Sequence, residues 1–407
     1  MIRMEDIIDA YFVTRQNKRR SADQVEFELH WQAGCMQLYR DIVDRCFQPK
    51  AYMFVVKRPK VREVFASDMQ TRILHHYLDM RMRPIMEKLM SPHIFNNRKG
   101  KGQKAFQNAL IEDIYRETAG YTRDAWIIKL DLKACLPNIN LDIAFSQMER
   151  LLIDHYHGED KDELLYILRI CVYSFPVLHC DIRATPAEVR LIPEGKSVFK
   201  KPIGIGASLG FLLWQNAVNW YFQDVCAWME SMGVTYERYV DDWIIVTRNK
   251  AVTLAYVIPE LRRRLARLGA SLNENKFYCQ HASKGVEALG VHIKMDRVYP
   301  NRRLQGRASK KVRECNRNIT AEATWKVLSS FNSYFGLMKT TNGYSPASGL
   351  LRKLDGRWHE YLRFNHSRVC LEPVTTKRNY IINKYKLREH DTDREGRELA
   401  EAQRTAV

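Results

Sequence analysis

Apolar residues recur at helical spacing from Ser21 onward, through Leu29, Met36, Leu38, Ile42 and Val43, and predict a helix with Ser21 in the N-cap position. Residues 52 to 65 read as two strands around Lys57-Arg58-Pro59-Lys60, and residues 67 to 90 as one long helix. Trp126-Ile-Ile-Lys-Leu-Asp131 is a short apolar run that ends on an acid. The most apolar stretch, Ile203 to Trp214, contains three glycines and is followed by a helical pattern from Phe211 to Phe222. Its length falls short of the roughly 18 apolar residues that a membrane helix needs. Finally, β-forming residues flank Asp241-Asp242 on both sides, Tyr239-Val240 before and Trp243 to Thr247 after. That pattern predicts a hairpin with the acid pair at its tip.

Adjacent carboxylates repel, and a fold tolerates them most readily when a cation lies between them and their partners. A solvated Asp-Asp turn is the competing reading of Tyr239-Val240-Asp241-Asp242 taken alone. Asp131 changes the balance, because two strands that each deliver a carboxylate to one sheet edge can share hard cations such as Mg²⁺, with oxygen ligands on every side. A pair of such ions suits an in-line displacement at phosphorus.

Five segments occur in a fixed order: Leu130-Asp131-Leu-Lys, Pro202-Ile-Gly-Ile-Gly-Ala-Ser208, Tyr239-Val-Asp-Asp242, Leu272-Asn-Glu-Asn-Lys276 and Ala288-Leu-Gly290. Together they resemble motifs A to E of a reverse transcriptase of the bacterial, non-retroviral kind. Further segments resemble the enzymes of diversity-generating retroelements and related defence-associated reverse transcriptases. These are Arg62 to His76, Asn97-Arg-Lys-Gly-Lys-Gly102, Ile203-Gly204 with Ser208, Gln280 to Gly285 and Asn332 to Lys339. The likeness runs from about Ser21 to about Lys353.

The resemblance implies an α+β, right-hand polymerase fold with fingers, an antiparallel palm sheet and a thumb. It places an N-terminal basic loop and helix at 1–50, fingers at 51–124, palm with interleaved fingers elements at 125–295, a helical thumb at 296–370 and a charged extension at 371–407. It further implies that Asp131, Asp241 and Asp242 are catalytic and hold two Mg²⁺, with Mn²⁺ as a substitute, Asp131 and Asp241 being the direct ligands and Asp242 having a lesser part. Lys60 and Arg62 sit where the family puts cations on the incoming triphosphate, with Arg72 a weaker nucleotide-binding candidate. Ile203 and Gly204 belong to the loop under the templating base pair, and Lys276 to the position that serves the departing pyrophosphate. An apolar Ile203 cannot hydrogen-bond the nucleotide, which implies relaxed fidelity. Leu136, followed by Pro137, stands where an aromatic usually blocks a 2′-hydroxyl, so weakened sugar discrimination follows. Leu209 also departs from the pattern, which has Gln there.

Composition agrees with a polyanionic partner: 65 Lys and Arg against 47 Asp and Glu give a net charge of +18. Arg98, Lys99 and Lys101, spaced by glycines, are candidate nucleic-acid contacts, although a basic turn has the same composition. Arg302, Arg303, Arg307, Lys310 and Lys311 are the densest basic cluster and would track a duplex backbone from a thumb helix. Arg15 to Arg20 is a second basic segment, equally readable as a solvated loop. His75-His76 has no third ligand at suitable spacing and reads as packing on its helix. Nine cysteines without a CxxC pair indicate neither a zinc ribbon nor a disulfide framework, and suit a reducing cytoplasm. The N-terminus carries acids where a signal peptide carries positive charge, so secretion is not expected. The expected partners are a template noncoding RNA, an RNA/cDNA duplex, dNTPs and a small accessory protein or second defence subunit, with no membrane. The departures at Leu136, Pro137 and Leu209 favour an antiphage role, ahead of mutagenic copying in a diversity-generating retroelement. A reading from another class, an idle RNA-binding scaffold, has no need of three mutually repelling acids.

Overall fold

Local sequence accounts for most element boundaries in the computed structural model, which describes residues 1–16, 22–57, 60–174, 180–321, 323–339, 341 and 344–374. Most of the basic segment ending at Arg20, the Ser21 cap and nearly all of the charged extension lie outside the described residues. The chain forms two compact units, Met1–Gln280 and a second that starts at His281.

The first unit begins with α1 (Met4–Arg15), α2 (Ala22–Leu29) and α3 (Trp31–Val43). A single helix was expected across the last two, but His30 leaves helical geometry at φ −131° and ψ 32°. The break lets Trp31 stack on Tyr11 at 5.1 Å, and the bare Gly34 leaves room for the Phe27 ring, which a Cβ there would meet at 2.6 Å. The predicted strand pair is β1 (Ala51–Val56) and β2 (Arg62–Ser67), antiparallel with Val56 opposite Arg62. Asp68 caps α4 (Met69–Leu89) by accepting the Thr71 N–H at 2.9 Å. His75 is fully buried on that helix against Phe211, ring centroids 5.0 Å apart. Burial pushes its pKa down to about 3, so it packs as a neutral ring.

After α5 (Gln103–Glu117) come β3 (Trp126–Asp131), α6 (Leu141–His155) and α7 (Lys161–Tyr173). Then β4 (Cys180–Ile182) adds to β1 in parallel, giving the sheet order β2-β1-β4. Helices Leu212–Tyr221 and Gln223–Ser231 lead to β5 (Tyr236–Tyr239) and β6 (Asp242–Thr247), and β7 (Tyr278–His281) ends where the second unit begins. These strands build a four-stranded sheet in the order β5-β6-β3-β7, with β6 antiparallel to both β5 and β3. Its inward residues, among them Ile128, Leu130, Trp243 and Ile245, join Leu74, Leu78, Val218 and Phe222 in one continuous core. A polar knot is buried in the same unit. The Asp160 carboxylate accepts from Tyr77, from Tyr156 at 2.5 Å and from Arg81 at 3.2 Å, and Arg81 reaches Asp6 of α1 at 2.8 Å. Burial alone would raise the Asp160 pKa, but these donors outweigh it and hold the carboxyl low.

The second unit carries a three-stranded antiparallel sheet of Val286–Ala288, Val291–Ile293 and Val298–Pro300. Leu289 and Gly290, both at positive φ, make the first hairpin turn. Helices Arg302–Asn316, Thr324–Met338 and Tyr344–Leu351 follow around Phe331, Phe335 and Trp358. A hairpin, Leu362–Asn365 with Cys370–Pro373, crosses the boundary expected at 370 between the helical thumb and the charged extension. Asn332 holds its edge by exchanging two hydrogen bonds with the Leu371 backbone, at 2.7 and 2.9 Å. All nine cysteines are free thiols. Among the described residues, no helix is long and apolar enough to cross a membrane.

Candidate active site

Strand register brings the three acids together. Pairing of β3 with β6 sets Asp131 directly opposite Asp242, and pairing of β5 with β6 sets Tyr239 opposite the same residue. Asp242 is thus a strand residue, and only Val240 and Asp241 form the two-residue turn. Directly opposed residues project from the same face of an antiparallel pair. The sheet therefore supplies adjacent carboxylates from segments far apart in sequence.

Val240 has φ 56°, at the loop position where hairpins of this kind prefer glycine. Positive φ on a β-branched residue is strained and must be held. The holding contacts form a closed circuit. Asn96 Oδ1 accepts the Val240 N–H at 2.9 Å, and Arg238 Nε donates to the Val240 carbonyl at 3.1 Å. Arg238 also donates to the carbonyls of Asn219 and Val218 at 3.2 and 3.0 Å, and Asn219 returns a hydrogen bond to the Asn96 carbonyl at 3.0 Å. Arg238 is fully buried and its guanidinium lies 4.9 Å from the Phe222 ring and 5.0 Å from the Trp243 ring.

Each acid has a different neighbourhood. Asp131 is buried, with Lys276 Nζ at 2.5 Å from Oδ1 and Asn273 Nδ2 at 3.3 Å from Oδ2. Asp242 pairs with Lys129 of β3 at 3.2 Å. Asp241 has its pKa raised, by burial first and then by the nearby Asp242 and Asp131 charges, with Lys276 opposing. The cluster offers oxygen donors only, the donor type that hard divalent cations prefer. Among the described residues, no group of three His, Cys, Asp or Glu side chains suffices to hold a metal by itself. Two carboxylates with remaining positions left to water and phosphate fit the habits of Mg²⁺.

A cavity of about 210 Å³ opens beside these acids. Its walls include Asp131, Asp241, Asn273 and Lys276, with Lys60, Arg62 and Lys196 as further cations and Leu136 and Pro137 as a floor segment. The loop Pro202–Gly210 is laced to that floor: Gly206 and Ala207 donate to the carbonyls of Ile139 and Leu136 at 2.7 and 2.9 Å, and Gly204 accepts from Leu141 at 2.9 Å. Gly210, at φ 117°, lies against β2, where a Cβ would meet the Phe65 carbonyl oxygen at 2.2 Å. Leu209 accepts the Phe65 N–H at 2.8 Å.

Other expected site residues stand apart from this cavity. Ile203 is 76% exposed, and neither it nor Gly204 is in the cavity wall. Arg72 donates to the Ser67 carbonyl at 2.8 Å and so finishes β2. Arg98 does not face solvent as a nucleic-acid contact should: Glu87 holds it at 2.7 Å, and the carbonyls of Ser91, Ile94 and Glu87 take its other N–H groups. Lys101 donates to the Pro92 carbonyl at 2.7 Å and covers the Phe95 ring, while Lys99 is exposed. In the second unit Arg302, Arg303, Arg307 and Lys310 are exposed on helix Arg302–Asn316, and Lys311 pairs with Glu314 at 3.7 Å.

Sequence reading missed Asn96, Asn219 and Arg238, Lys129 and Asn273, and the Lys196 segment. A charged residue inside a strand of core residues was the available signal for Arg238. Beneath the hairpin, Glu237 of β5 and Asp113 of α5 are buried together, with His93 at 3.2 Å from Glu237 and Arg116 at 2.6 Å from Asp113. Burial and the Glu237 carboxyl push the Asp113 pKa up, which favours its protonated form.

Comparison with known proteins adds the family. None of the curated proteins matches this sequence. Among solved structures, apo telomerase from Candida tropicalis truncated from its C-terminal domain is 12% identical, with a TM-score of 0.46 over 66% of this chain and 60% of that one. Apo telomerase from Candida tropicalis is also 12% identical, with a TM-score of 0.43 over 62% of this chain and 48% of that one. Telomerase from Candida albicans, in complex with a TWJ fragment of telomeric RNA, is 11% identical, with a TM-score of 0.44 over 83% of this chain and 59% of that one. The chain thus spans less than two thirds of the length of each. The profile of the reverse transcriptase (RNA-dependent DNA polymerase) family matches residues 55–293, which contain all three acids and every wall of the cavity. The fold is that of a right-hand polymerase, and the chain belongs to the reverse transcriptase family.

Proposed function

We propose that the protein is an RNA-directed DNA polymerase whose reaction centre is the cavity lined by Asp131, Asp241, Lys60 and Arg62. The observation that carries this reading is the convergence of acids on a sheet edge with fingers cations in one small cavity, inside the segment that matches the family. Asp131 and Asp241 would hold two Mg²⁺, or Mn²⁺ in their place, with Asp242 and its Lys129 partner supporting the edge. Bound there, the ions stabilise the attacking 3′-hydroxyl and the leaving pyrophosphate.

The chain's own groups do the remaining work. Lys60 and Arg62 line the same cavity as the acids, and in this reading they bind the triphosphate of a dNTP, Arg62 with a planar fork and Lys60 as a point charge. Lys276, already on Asp131, is in reach to protonate or neutralise the departing pyrophosphate. Leu136 and Pro137 lie under the sugar, and the Pro202–Gly210 loop forms a floor of small residues close to the base pair. The exposed basic face of helix Arg302–Asn316 supports a contact with the RNA/cDNA duplex.

In this reading the enzyme copies a dedicated noncoding RNA in antiphage defence. The apolar Ile203 favours a second reading, error-prone copying in a diversity-generating retroelement. Sequencing of nucleic acid that copurifies with the protein, wild type beside Asp241→Ala/Asp242→Ala, tests both. A cDNA found only with the wild type is expected, and its template separates a noncoding RNA from a template repeat. RNA bound equally by both proteins, with no DNA in either, would overturn polymerisation in favour of the scaffold.

A further inference from the structure

The segment between α7 and the Pro202–Gly210 loop is fastened to the β1–β2 hairpin at several points. Arg183 N–H donates to the Met53 carbonyl at 2.8 Å, and the Arg183 guanidinium lies 3.9 Å from the Tyr52 ring centroid. Glu188 pairs with Lys57 at 2.9 Å. The innermost fastening is Glu63 of β2, which is 3% exposed and has no cation within ion-pair distance among the described residues. Its carboxylate accepts from Ser197 Oγ at 2.9 Å and from the Val198 N–H. A buried carboxylate is costly unless its hydrogen bonds are well made. Both of these bonds serve a single task, holding residues 197 and 198 against β2. The residue immediately before them is Lys196, exposed and in the wall of the acid-bearing cavity.

We infer that Lys196 is a third cation for the triphosphate of the incoming nucleotide, set in place by Glu63. The inference rests on the polymerase reading of the cavity and adds to it. Lys196 lines the same cavity as Asp131, Asp241, Lys60 and Arg62, so a triphosphate held there by Lys60 and Arg62 has a third cation in the same wall set. The cation comes from a segment outside every motif that resembles the family, so nothing in the sequence pattern marks it. Glu63 is the positioning residue, acting through Ser197 and Val198.

Primer extension on a defined RNA template with a DNA primer gives KM for dNTP, kcat and the Kd of the primer–template separately. Lys196→Ala is expected to raise KM for dNTP about tenfold, the effect of one charge-assisted contact, with kcat and primer–template Kd within about twofold of wild type. Lys196→Arg restores most of the loss, and Glu63→Gln, which keeps one acceptor, raises KM by a smaller factor. Equilibrium binding of Mg²⁺–dATP, with inorganic tripolyphosphate as competitor, is measured on the same proteins. It reads the contact without catalysis, so a wild type that binds dATP but extends no primer sinks the polymerase reading alone. Unchanged KM and unchanged dATP binding in Lys196→Ala overturn the inference while an active wild type keeps the reading. A rise confined to the primer–template Kd also overturns it, by putting Lys196 on the nucleic acid instead.

Discussion

The strained tip at Val240 makes Asn96 the most informative side chain to remove. Asn96→Ala takes away the acceptor of the Val240 N–H at 2.9 Å and leaves the rest of the circuit in place, because Asn219 bonds to the Asn96 backbone and not to its side chain. A donor left without its acceptor in a part-buried site costs about 1–3 kcal/mol. The positive φ of Val240 stores about another 1–2 kcal/mol that the clamp no longer opposes. Both push the turn toward a different backbone conformation, and the next residue is Asp241. With about 1.4 kcal/mol per factor of ten in rate, kcat should fall about 10- to 100-fold. KM for dNTP should stay within about threefold, since Lys60 and Arg62 are untouched. Single-turnover primer extension in Mg²⁺ measures the first, and thermal melting checks that the variant is folded. Asn96→Asp keeps an acceptor and should retain most activity. Val240→Gly removes the cost of positive φ and should recover part of the loss when combined with Asn96→Ala. Wild-type kcat in a folded Asn96→Ala would refute the clamp, as would a double variant no better than the single one.

Three further outcomes follow from features of the fold. Leu136→Phe should improve discrimination against ribonucleotides about tenfold, equivalent to about 1.4 kcal/mol, with dNTP incorporation little changed; equal ribonucleotide incorporation by both proteins would place the gate elsewhere. Asp160→Asn deprives Tyr77, Tyr156 and Arg81 of a shared acceptor and should destabilise the first unit by about 2–3 kcal/mol, read as a lower urea midpoint. That contribution is present at neutral pH and disappears as pH falls below the ordinary carboxylate range through the depressed folded pKa, so the two proteins should converge in acid. Asp113 behaves in the opposite sense. Its folded pKa is raised, so the stability it contributes is complete in acid and is lost as pH rises toward about 8. Asp113→Asn, which mimics the protonated form, should flatten the decline in urea midpoint between pH 5 and pH 9, and parallel curves would rule this account out.

What could be read from sequence was whatever local preference decides. The β-formers around Asp131 and Asp241 announce strands, and the hairpin between β5 and β6 follows from them. Register was beyond reach, because nothing local says that Asp131 pairs with Asp242 or that only Asp241 occupies the turn. Arg98 was misread for a similar reason. Beside Lys and Gly it looks like part of a solvated basic turn, but its partner Glu87 lies a full segment earlier on α4. The helix break at His30 depends on Trp31 finding Tyr11, a contact between elements. Lys196 sits in a stretch with no periodicity, and its place at the cavity depends on long-range bonds such as those of Glu63 to Ser197 and Val198.

Gly210 has a mechanical consequence. With no room for a Cβ between Gly210 and the Phe65 carbonyl, and Leu209 accepting the Phe65 N–H, the end of the Pro202–Gly210 loop is fastened to the middle of β2. Any rocking of the β1–β2 hairpin that keeps this hydrogen bond carries the Leu209 end of the loop with it. Arg62 rides on the same strand, three residues from that bolt. Under the proposed function, a movement that brings Arg62 toward the acids also moves the loop assigned to the base pair, which would make grip on the triphosphate and fit of the base pair one motion.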